Sequence, residues 1–198
     1  MTFPPKKVLL IAGLALWVLA VGCGMFWLAD YSFTPGRAGQ AAPAWPGGPT
    51  PESGNDRFTL VVALHPECPC SRATLRQLDT VLLNAAGRMR VLAVFGDQLT
   101  DAPAEDSELY AQARALPDVR LVSDRDGSWM RRFDFHTSGE IRLYRPDGTL
   151  AFQGGITAGR GHEGDNPGSD AVIAAVRATT PMAGLVSTPV FGCALDNS

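Results

Sequence analysis

Cysteine is scarce in this chain of 198 residues, and the scarcity excludes one class of protein. The four cysteines, at positions 23, 68, 70 and 193, are too few for the disulfide scaffold of a chain this long. Charge is limited too: charged residues make up 19% of the chain, the net charge is −3, and no basic stripe stands out. We therefore predict no nucleic-acid partner. The hydrophobic content of 45% suffices for a packed core, and the length suggests one domain with appendages.

Charged residues are missing altogether from residues 8–29. A helix of this length, at about 1.5 Å per residue, spans the roughly 30 Å hydrocarbon core of a bilayer. Lys6 and Lys7 precede the run, and no Lys or Arg follows it until Arg37. This asymmetry places residues 1–7 in the cytoplasm. We expect a single-pass anchor in the cytoplasmic (inner) membrane, in contact with the lipid bilayer, and a C-terminal domain in the periplasm or outside the cell.

Two other interpretations of this apolar run are a cleaved signal peptide and a lipoprotein signal ending at Cys23. A signal peptide has a shorter apolar core, of about 7–15 residues. For a lipoprotein signal, the residue three before Cys23 is Ala20 rather than Leu, and the sequence stays apolar as far as Leu28. An uncleaved anchor is favoured, with Cys23 a small residue facing lipid.

Residues 30–55 offer little that could form a core. The stretch is rich in Pro, Gly and Ala, which predicts an extended tether that holds the domain off the membrane.

Cys68 and Cys70 follow a short apolar run. Phe58–Leu64 is nearly all apolar and partly β-branched, which is typical of a strand buried on both faces. Pro66 and Pro69 end the strand, and a proline suits the first turn of a helix. Apolar residues then recur at helical spacing, at Leu75, Leu78, Leu82 and Ala85. Two thiols therefore lie where a buried strand gives way to an amphipathic helix.

This position has chemical consequences for the cysteines. The start of a helix carries unpaired N–H groups and the positive end of the helix dipole, and both favour a thiolate over a thiol. Such positions lower a cysteine pKa from about 8.5 into the range of about 3.5–7.5. Arg72 adds positive charge nearby. A thiolate is the nucleophile in thiol–disulfide exchange and also a soft metal ligand.

The rest of the chain alternates predicted strands and helices. We expect a second buried strand, a helix over 104–116, a third strand, a short helix over 126–133, a half-exposed strand over 140–145, a hairpin, and a last helix over 169–179 with Ser169 as its N-cap. This order predicts an α/β domain over residues 56–181, with a mixed sheet covered by helices on both faces.

The order of elements, with cysteines at the first strand-to-helix turn, resembles the thioredoxin superfamily over residues 56–180. Residues 124–133 (DRDGSWMRRF) and 143–148 (LYRPDG) resemble the peroxiredoxin and membrane-anchored thioredoxin branch. The motifs HPECPCSR, TSG, GGIT..RGHEGDNPG and TPVFGC look like those of the thioredoxin-like RedB proteins. Two features depart from the superfamily pattern: the spacing is C-x-C rather than C-x-x-C, and Thr137-Ser138-Gly139 stands where relatives carry a cis-proline.

The resemblance implies thiol–disulfide exchange, without a cofactor, with an extracytoplasmic thiol or disulfide protein as partner. Cys68 is the expected nucleophile, exposed and activated, with Arg72 supporting its thiolate. Either Cys70 or Cys193 would resolve the mixed disulfide. Residues 187–193 of the tail are too apolar to be free, so we expect the tail, residues 182–198, to pack back on the domain and bring Cys193 near the other two thiols. The enzyme class would be a thiol–disulfide oxidoreductase.

Two further functions stay open. Cys68, Cys70 and His136 would make a soft ligand set for Cu(I), and Sco-type copper chaperones are similar in outline, with a membrane anchor, a thioredoxin fold, two close cysteines and one histidine. In that case copper would be the ligand and the protein a copper-binding or delivery module. Alternatively the domain is a redox-inert adaptor whose groove binds a partner.

The glycine-rich stretch 154–168 is a candidate recognition loop. It crowds polar residues among six glycines, and a loop this long is commonly functional. We expect it to lie over the cysteine face. The residues predicted to contact a partner are Arg160, His162, Asn166 and Ser138.

Overall fold

A computed structural model of the chain describes residues 5–47, 56–96, 100, 102–179 and 184–195. These residues form two compact units, one ending at Thr34 and the other beginning at Pro35. The first unit is the helix α1, Lys6–Phe33, of which no residue is buried. It is long and apolar enough to cross a membrane, a test that an N-terminal signal sequence also passes.

The second unit alternates strands and helices, as the sequence predicts. Its elements in chain order are β1 (Phe58–Leu64), α2 (Pro69–Ala85), β2 (Met89–Phe95), a 3-10 turn (Ala104–Asp106), α3 (Glu108–Ala115), β3 (Val119–Ser123), α4 (Ser128–Phe133), β4 (Ile141–Tyr144), β5 (Leu150–Gly154), α5 (Pro167–Arg177) and β6 (Val186–Ser187).

The described strands form one mixed sheet in the order β3-β2-β1-β4-β5-β6. β1, β2 and β3 run parallel to one another. β4 is antiparallel to both β1 and β5, and β6 is parallel to β5. The predicted mixed sheet with flanking helices is confirmed.

Alternate residues of β1 enter two separate apolar cores, because successive side chains of a strand point to opposite faces of the sheet. Leu60 and Val62 pack in the larger core with residues of α2, α3 and α5. Val61 and Ala63 pack in the smaller core, where α4 contributes Phe133. Both faces of β1 are therefore covered, as its apolar run predicts, and the carboxyl end of the strand points at the cysteines.

Residues 35–47, predicted as part of the tether, are hydrogen-bonded to the domain; we call them the 35–47 segment. The Gly39 N–H donates to the Glu140 carboxylate over 2.8 Å. The Pro43 carbonyl accepts from the Leu150 N–H over 2.9 Å. Trp45 packs edge-on against an aromatic ring of α4. The segment thus forms part of the second unit.

The prediction of a half-exposed strand over residues 140–145 is wrong. All four residues of β4 are buried, and so is the Glu140 side chain just before it. The Arg142 guanidinium lies 2.7 Å from the Glu140 carboxylate, and both side chains are almost fully buried. Alternating polar and apolar residues predict that one face of the strand is exposed to solvent. Here the 35–47 segment contacts Glu140 on that face and excludes water from it.

Two predicted helices differ at their ends. The helix predicted over 104–116 is divided into a 3-10 turn and α3, because the Ser107 side chain accepts a hydrogen bond from the Tyr110 N–H and caps α3. The last helix begins at Pro167 rather than after Ser169, and Asn166 is its N-cap. Ser169 lies inside the helix, where its backbone N–H donates to the side-chain oxygen of Asn166.

Replacing Trp45 with alanine should destabilise the domain. Its indole lies edge-on against Phe133 and Tyr144, with ring centroids 5.1 and 5.2 Å away. Because the side chain is half-buried, we expect the free energy of unfolding to fall by about 2 kcal/mol, less than the roughly 3–5 kcal/mol of a fully buried aromatic. Denaturant unfolding of the full chain in detergent measures this.

Leu83→Ala is the control for that measurement, because Leu83 is 74% exposed on α2. It should change the free energy of unfolding by less than about 0.5 kcal/mol. Equal stability of Trp45→Ala and the parent chain would show that the 35–47 segment adds nothing to the fold.

Candidate thiol site

Cys68 and Cys70 lie at the start of α2, directly after β1. Cys68 is the N-cap residue in extended conformation, and Pro69 is the first residue of the helix. Proline is favoured at this position, because the first turn of a helix leaves its N–H groups unpaired. The short strand-to-helix turn thus presents two sulfurs at the carboxyl end of a central strand.

The C-terminal tail brings the third cysteine to the same place. Residues 190–195, which we call the tail segment, run antiparallel to residues 136–138 through a bridge between Thr137 and Ala194. The Ser138 N–H donates to the Cys193 carbonyl over 2.8 Å, and the Leu195 N–H donates to the His136 carbonyl over 2.9 Å. Backbone hydrogen bonds therefore set the position of Cys193.

Gly192 makes this close pairing possible. A Cβ atom at position 192 would lie 1.9 Å from the Ser138 carbonyl oxygen, a distance that no side chain tolerates. The Arg160 guanidinium donates to the Gly192 carbonyl. Further along, the Val190 carbonyl accepts from the Gly36 N–H over 2.8 Å. The tail segment is thus hydrogen-bonded to residues 136–138, to Arg160 and to Gly36.

The sulfurs of Cys68, Cys70 and Cys193 all lie within 4.8 Å of one another. The Ser138 hydroxyl joins two of these residues: its oxygen is 3.3 Å from the Cys68 sulfur and accepts the Cys193 N–H over 2.9 Å. Because this oxygen accepts a hydrogen bond from the backbone, its own hydrogen can point at the Cys68 sulfur. The three cysteines and Ser138 form a compact thiol site.

The prediction that Cys68 is exposed is wrong. Cys68 is 5% exposed and Cys70 is 6% exposed, while Cys193 is half-buried. The cause is the tail segment, whose pairing with residues 136–138 places Cys193 beside the other two sulfurs. In this conformation Cys193 is the most accessible of the three thiols.

Hydrogen bonding gives the three thiols different roles: Cys70 donates to both other sulfurs, Cys193 donates to Cys68 and accepts from Cys70, and Cys68 accepts from both. The pKa of Cys68 is far below its usual range, because the Cys193 and Cys70 thiols, and after them the Ser138 hydroxyl, stabilise its thiolate. The pKa of Cys70 is raised by hydrogen bonding with Cys193 and Cys68 and by burial. The pKa of Cys193 is raised chiefly by its hydrogen bond with Cys68. The surroundings therefore favour the thiolate form at Cys68 and the thiol form at Cys70 and Cys193.

Two residues predicted to assist the cysteines point elsewhere. The Arg72 guanidinium lies 3.4 Å from the Glu108 carboxylate, and the largest causes of the Cys68 pKa shift are the other two thiols, burial and Ser138. The His136 imidazole lies 2.9 Å from the Asp134 carboxylate, and His136 is not part of the sulfur cluster. The groups beside the Cys68 sulfur are Cys193 and Ser138, and not Arg72 and His136 as the sequence suggested.

The predicted recognition residues of the glycine-rich loop occupy different environments. Arg160 contacts the tail segment through the Gly192 carbonyl, and His162 is exposed on the loop. Asn166 is buried, and its side-chain amide donates to the Ile156 carbonyl over 2.8 Å while it caps α5. Asn166 shapes the loop, whereas Arg160 reaches the thiol site.

Glu140 is a residue of the site that sequence reasoning missed. Its carboxylate accepts the His136 N–H over 3.0 Å and is paired with Arg142. It therefore orients the backbone of residues 136–138, to which the tail segment is bonded. Its signal in the sequence is the Glu-Ile-Arg alternation, which is typical of a half-exposed strand and does not indicate a buried ion pair.

The sheet order, the helices on both faces and the cysteines between β1 and α2 decide the fold of the domain. The fold is thioredoxin-like. No family model matches the chain, and no curated protein matches it either.

Solved structures with this fold share little sequence with the chain. An uncharacterized conserved protein from Geobacillus kaustophilus has a TM-score of 0.58 at 13% identity and covers 84% of this chain and 93% of its own. A hypothetical protein from Sinorhizobium meliloti has a TM-score of 0.56 at 19% identity, covering 83% and 94%. A secreted disulfide oxidoreductase of Mycobacterium tuberculosis, homologous to DsbE, has a TM-score of 0.40 at 19% identity, covering 57% and 80%. Similarity at this level concerns the fold.

Ser138→Ala should shift the reactivity of Cys68 to higher pH. The native pKa of Cys68 is depressed, so its thiolate persists below the pH at which an ordinary thiol is protonated. Removing the hydroxyl removes one donor to the thiolate and raises that pKa. The measurement is the pH profile of alkylation at Cys68, followed by peptide mass spectrometry so that each cysteine is counted separately.

Ser187→Ala is the matched control, because Ser187 is exposed in β6, and it should leave the profile in place. An unchanged profile in Ser138→Ala would show that the 3.3 Å contact with Cys68 does not act on the thiolate.

Arg160→Met should expose Cys68 by loosening the tail segment. The substitution keeps the length of the side chain but removes the donor to the Gly192 carbonyl. We expect faster alkylation of Cys68 at a pH where it is fully ionised, so that only access to the sulfur is compared. Arg120→Met, at an exposed position of β3, is the control, and equal rates in all three proteins would contradict the role of Arg160.

Proposed function

We propose that the domain carries out thiol–disulfide exchange with an extracytoplasmic protein, using Cys68 as nucleophile and Cys193 as resolving thiol. The observation that carries this proposal is the thiol site itself. Three sulfurs lie within 4.8 Å, and hydrogen bonds from the other two thiols and from Ser138 favour the thiolate on Cys68 alone. One activated thiolate beside a second thiol is what exchange requires.

The first step forms a mixed disulfide. The Cys68 thiolate attacks one sulfur of the partner's disulfide, the partner's S–S bond breaks, and its other sulfur leaves as a thiolate. The proton of Cys193 passes to that leaving thiolate, so Cys193 becomes the next nucleophile.

The second step releases the partner. The Cys193 thiolate attacks the Cys68 sulfur, the mixed disulfide breaks, and the partner's second sulfur leaves as a thiolate that takes a proton from water. The partner gains two electrons and two protons and becomes a dithiol, while Cys68 and Cys193 are oxidised to a disulfide. The same steps in reverse oxidise a partner's dithiol.

Cys193 suits the resolving role better than Cys70. A disulfide between Cys68 and Cys70 would link residues two apart at the start of a helix, where disulfide geometry is strained. Cys193 approaches from a separate segment, so its sulfur can close on Cys68 without distorting α2. Cys70 is then a buried thiol that donates a hydrogen bond to the Cys68 thiolate.

Access to Cys68 requires the tail segment to move. Because Cys68 is 5% exposed, a partner's disulfide reaches it after residues 190–195 separate from Ser138. Arg160, which bonds the tail, and the exposed His162 lie on the loop that a docking partner would meet. Arg72 and Asn166 would act indirectly, through α2 and through the shape of the loop.

The proposed location is the outer side of the cytoplasmic membrane. Helix α1 is of the length and composition that anchors a domain in a bilayer, and the two lysines before its apolar part favour a cytoplasmic N-terminus. The domain would then work in the periplasm or outside the cell, where thiols meet disulfides. The motifs around the three cysteines support placing the chain with the RedB proteins.

The test is trapping of the mixed disulfide with oxidised glutathione. The full chain is studied in detergent, reduced, in a Cys23→Ser background and in the presence of a metal chelator, and products are identified by mass spectrometry. The parent should form the Cys68–Cys193 disulfide. Cys193→Ser should accumulate glutathione on Cys68, because the second step is lost.

Cys68→Ser and Cys70→Ser are the companion variants. Cys68→Ser should react with oxidised glutathione more slowly than the parent, because the activated thiolate is missing. Cys70→Ser should still release glutathione, because Cys193 remains. If Cys70→Ser accumulates the mixed disulfide and Cys193→Ser does not, Cys70 is the resolving thiol and the assignment made here is wrong. If no thiol of the folded parent reacts, the domain is not an oxidoreductase, and the adaptor function is favoured.

A further inference from the structure

The thiol site has a second chemical capacity, which its sulfur ligands indicate. Cys68, Cys70 and Cys193 each offer one sulfur, and these sulfurs are within 4.8 Å of one another. His136, the histidine that the sequence offered as a copper ligand, directs its imidazole to Asp134. The cluster therefore consists of three soft ligands and no nitrogen.

The spacing of the sulfurs suits a single metal ion. A metal–sulfur distance of about 2.3 Å in a planar, three-coordinate arrangement separates the sulfurs by roughly 4 Å. Sulfurs that all lie within 4.8 Å of one another are already close to that spacing. Since the cysteines come from the start of α2 and from the tail segment, the backbone pairing of residues 136–138 with the tail already assembles the ligand set.

The ligand chemistry selects among metals. Thiolates favour Cu(I), Zn²⁺ and iron–sulfur clusters over hard cations. Structural zinc is almost always held by four ligands, and iron–sulfur clusters use four cysteines, whereas the cluster found among the described residues has three members. Cu(I) is soft and is satisfied by three thiolates. Burial of Cys68 and Cys70 also protects such an ion from water and oxidation.

We propose that the reduced thiol site binds one Cu(I) ion through Cys68, Cys70 and Cys193, with Cys193 in the role that the sequence suggested for His136. Binding displaces protons from the thiols that carry them and leaves the oxidation states of copper and sulfur unchanged. A disulfide between any two of the sulfurs removes two ligands. Copper binding and disulfide formation at this site are therefore mutually exclusive.

Positive groups around the site would offset the charge of three thiolates on one monovalent ion. The start of α2 directs its positive dipole end at Cys68 and Cys70. The Arg160 guanidinium donates to the Gly192 carbonyl, so its positive charge lies beside Cys193. Arg160 thus holds the tail segment, which carries the third ligand, in place. Metal binding and the attachment of the tail to the domain should therefore stabilise each other.

Metal binding should also fix the tail. In the metal-bound form Cys193 is tied through the ion to Cys68 and Cys70 at the start of α2, so the tail segment cannot separate from residues 136–138. The amide hydrogens of Ser138 and Leu195, which form the backbone pairing, should exchange more slowly with solvent. This slowing distinguishes a site that includes Cys193 from one built on α2 alone.

The experiment is a Cu(I) titration of the reduced full chain in detergent, in competition with a chromophoric Cu(I) chelator. A Cys23→Ser background removes the thiol of α1, which is exposed. We expect one ion per chain. Cys68→Ser, Cys70→Ser and Cys193→Ser should each weaken binding by more than the roughly 10–100-fold that loss of an outer-shell partner costs, and His136→Ala should leave the affinity unchanged.

X-ray absorption of the Cu(I)-loaded parent is the second measurement, and it does not depend on how the variants fold. It should show three sulfur neighbours and no nitrogen. A nitrogen neighbour together with weak binding by His136→Ala would overturn the assignment in favour of a two-sulfur, one-histidine site. Unchanged affinity in Cys193→Ser, or no slowing of exchange in the tail, would also overturn it.

The outcome is independent of the exchange proposal. Trapping with glutathione is done with a chelator present, and the copper titration is done with all thiols reduced. Failure of Cu(I) binding with normal trapping removes the metal site alone, and stoichiometric Cu(I) binding in a protein that forms no mixed disulfide removes the exchange function alone.

Discussion

The thiol site depends on the backbone pairing between the tail segment and residues 136–138. Two backbone hydrogen bonds and the Ser138 hydroxyl place Cys193 against Cys68. Without this pairing, Cys68 and Cys70 would be two neighbouring thiols at the start of a helix, with no third sulfur and no segment covering them. The pairing therefore determines the number of sulfurs, their burial and the distribution of protons among them.

A buried ion pair between Glu140 and Arg142 stabilises the backbone to which the tail segment is paired. The Glu140 carboxylate, paired with Arg142, also accepts backbone N–H groups from Gly39 and His136. Burying two charges costs several kcal/mol per ion, and only close pairing with further hydrogen bonds offsets that cost. Glu140 meets this condition, so it connects the 35–47 segment to the backbone that receives the tail. The positions of the two chain segments are coupled through one carboxylate.

The same contacts that activate Cys68 also restrict access to it. Thiols and a hydroxyl can stabilise the thiolate because the tail segment lies within hydrogen-bond distance, and for the same reason a large reactant cannot reach the sulfur. A small soft cation needs no such opening. The tail thus acts on both proposed functions in opposite directions, as a barrier to a protein partner and as the source of the third ligand for a metal ion.

Local patterns in the sequence determined much of the domain. The apolar run of β1, the prolines before α2 and the helical spacing that follows indicate the strand, the turn and the helix, since these depend on neighbours along the chain. The location of Cys68 and Cys70 follows from them. The burial of β4 and the docking of the 35–47 segment were not predictable, because Glu140 and Arg142 have the alternation of an exposed strand.

Only the tertiary structure decided which groups surround the cysteines. The sequence led us to expect Cys193 near the other thiols from the apolar character of the tail, but not Gly192 against the Ser138 carbonyl or the pairing with residues 136–138. It suggested Arg72 and His136 as neighbours of the cysteines. In the structure Arg72 is paired with Glu108, and His136 is hydrogen-bonded to Asp134. Contacts between residues more than fifty positions apart depend on how the sheet and the two chain ends pack, and no local pattern contains that information.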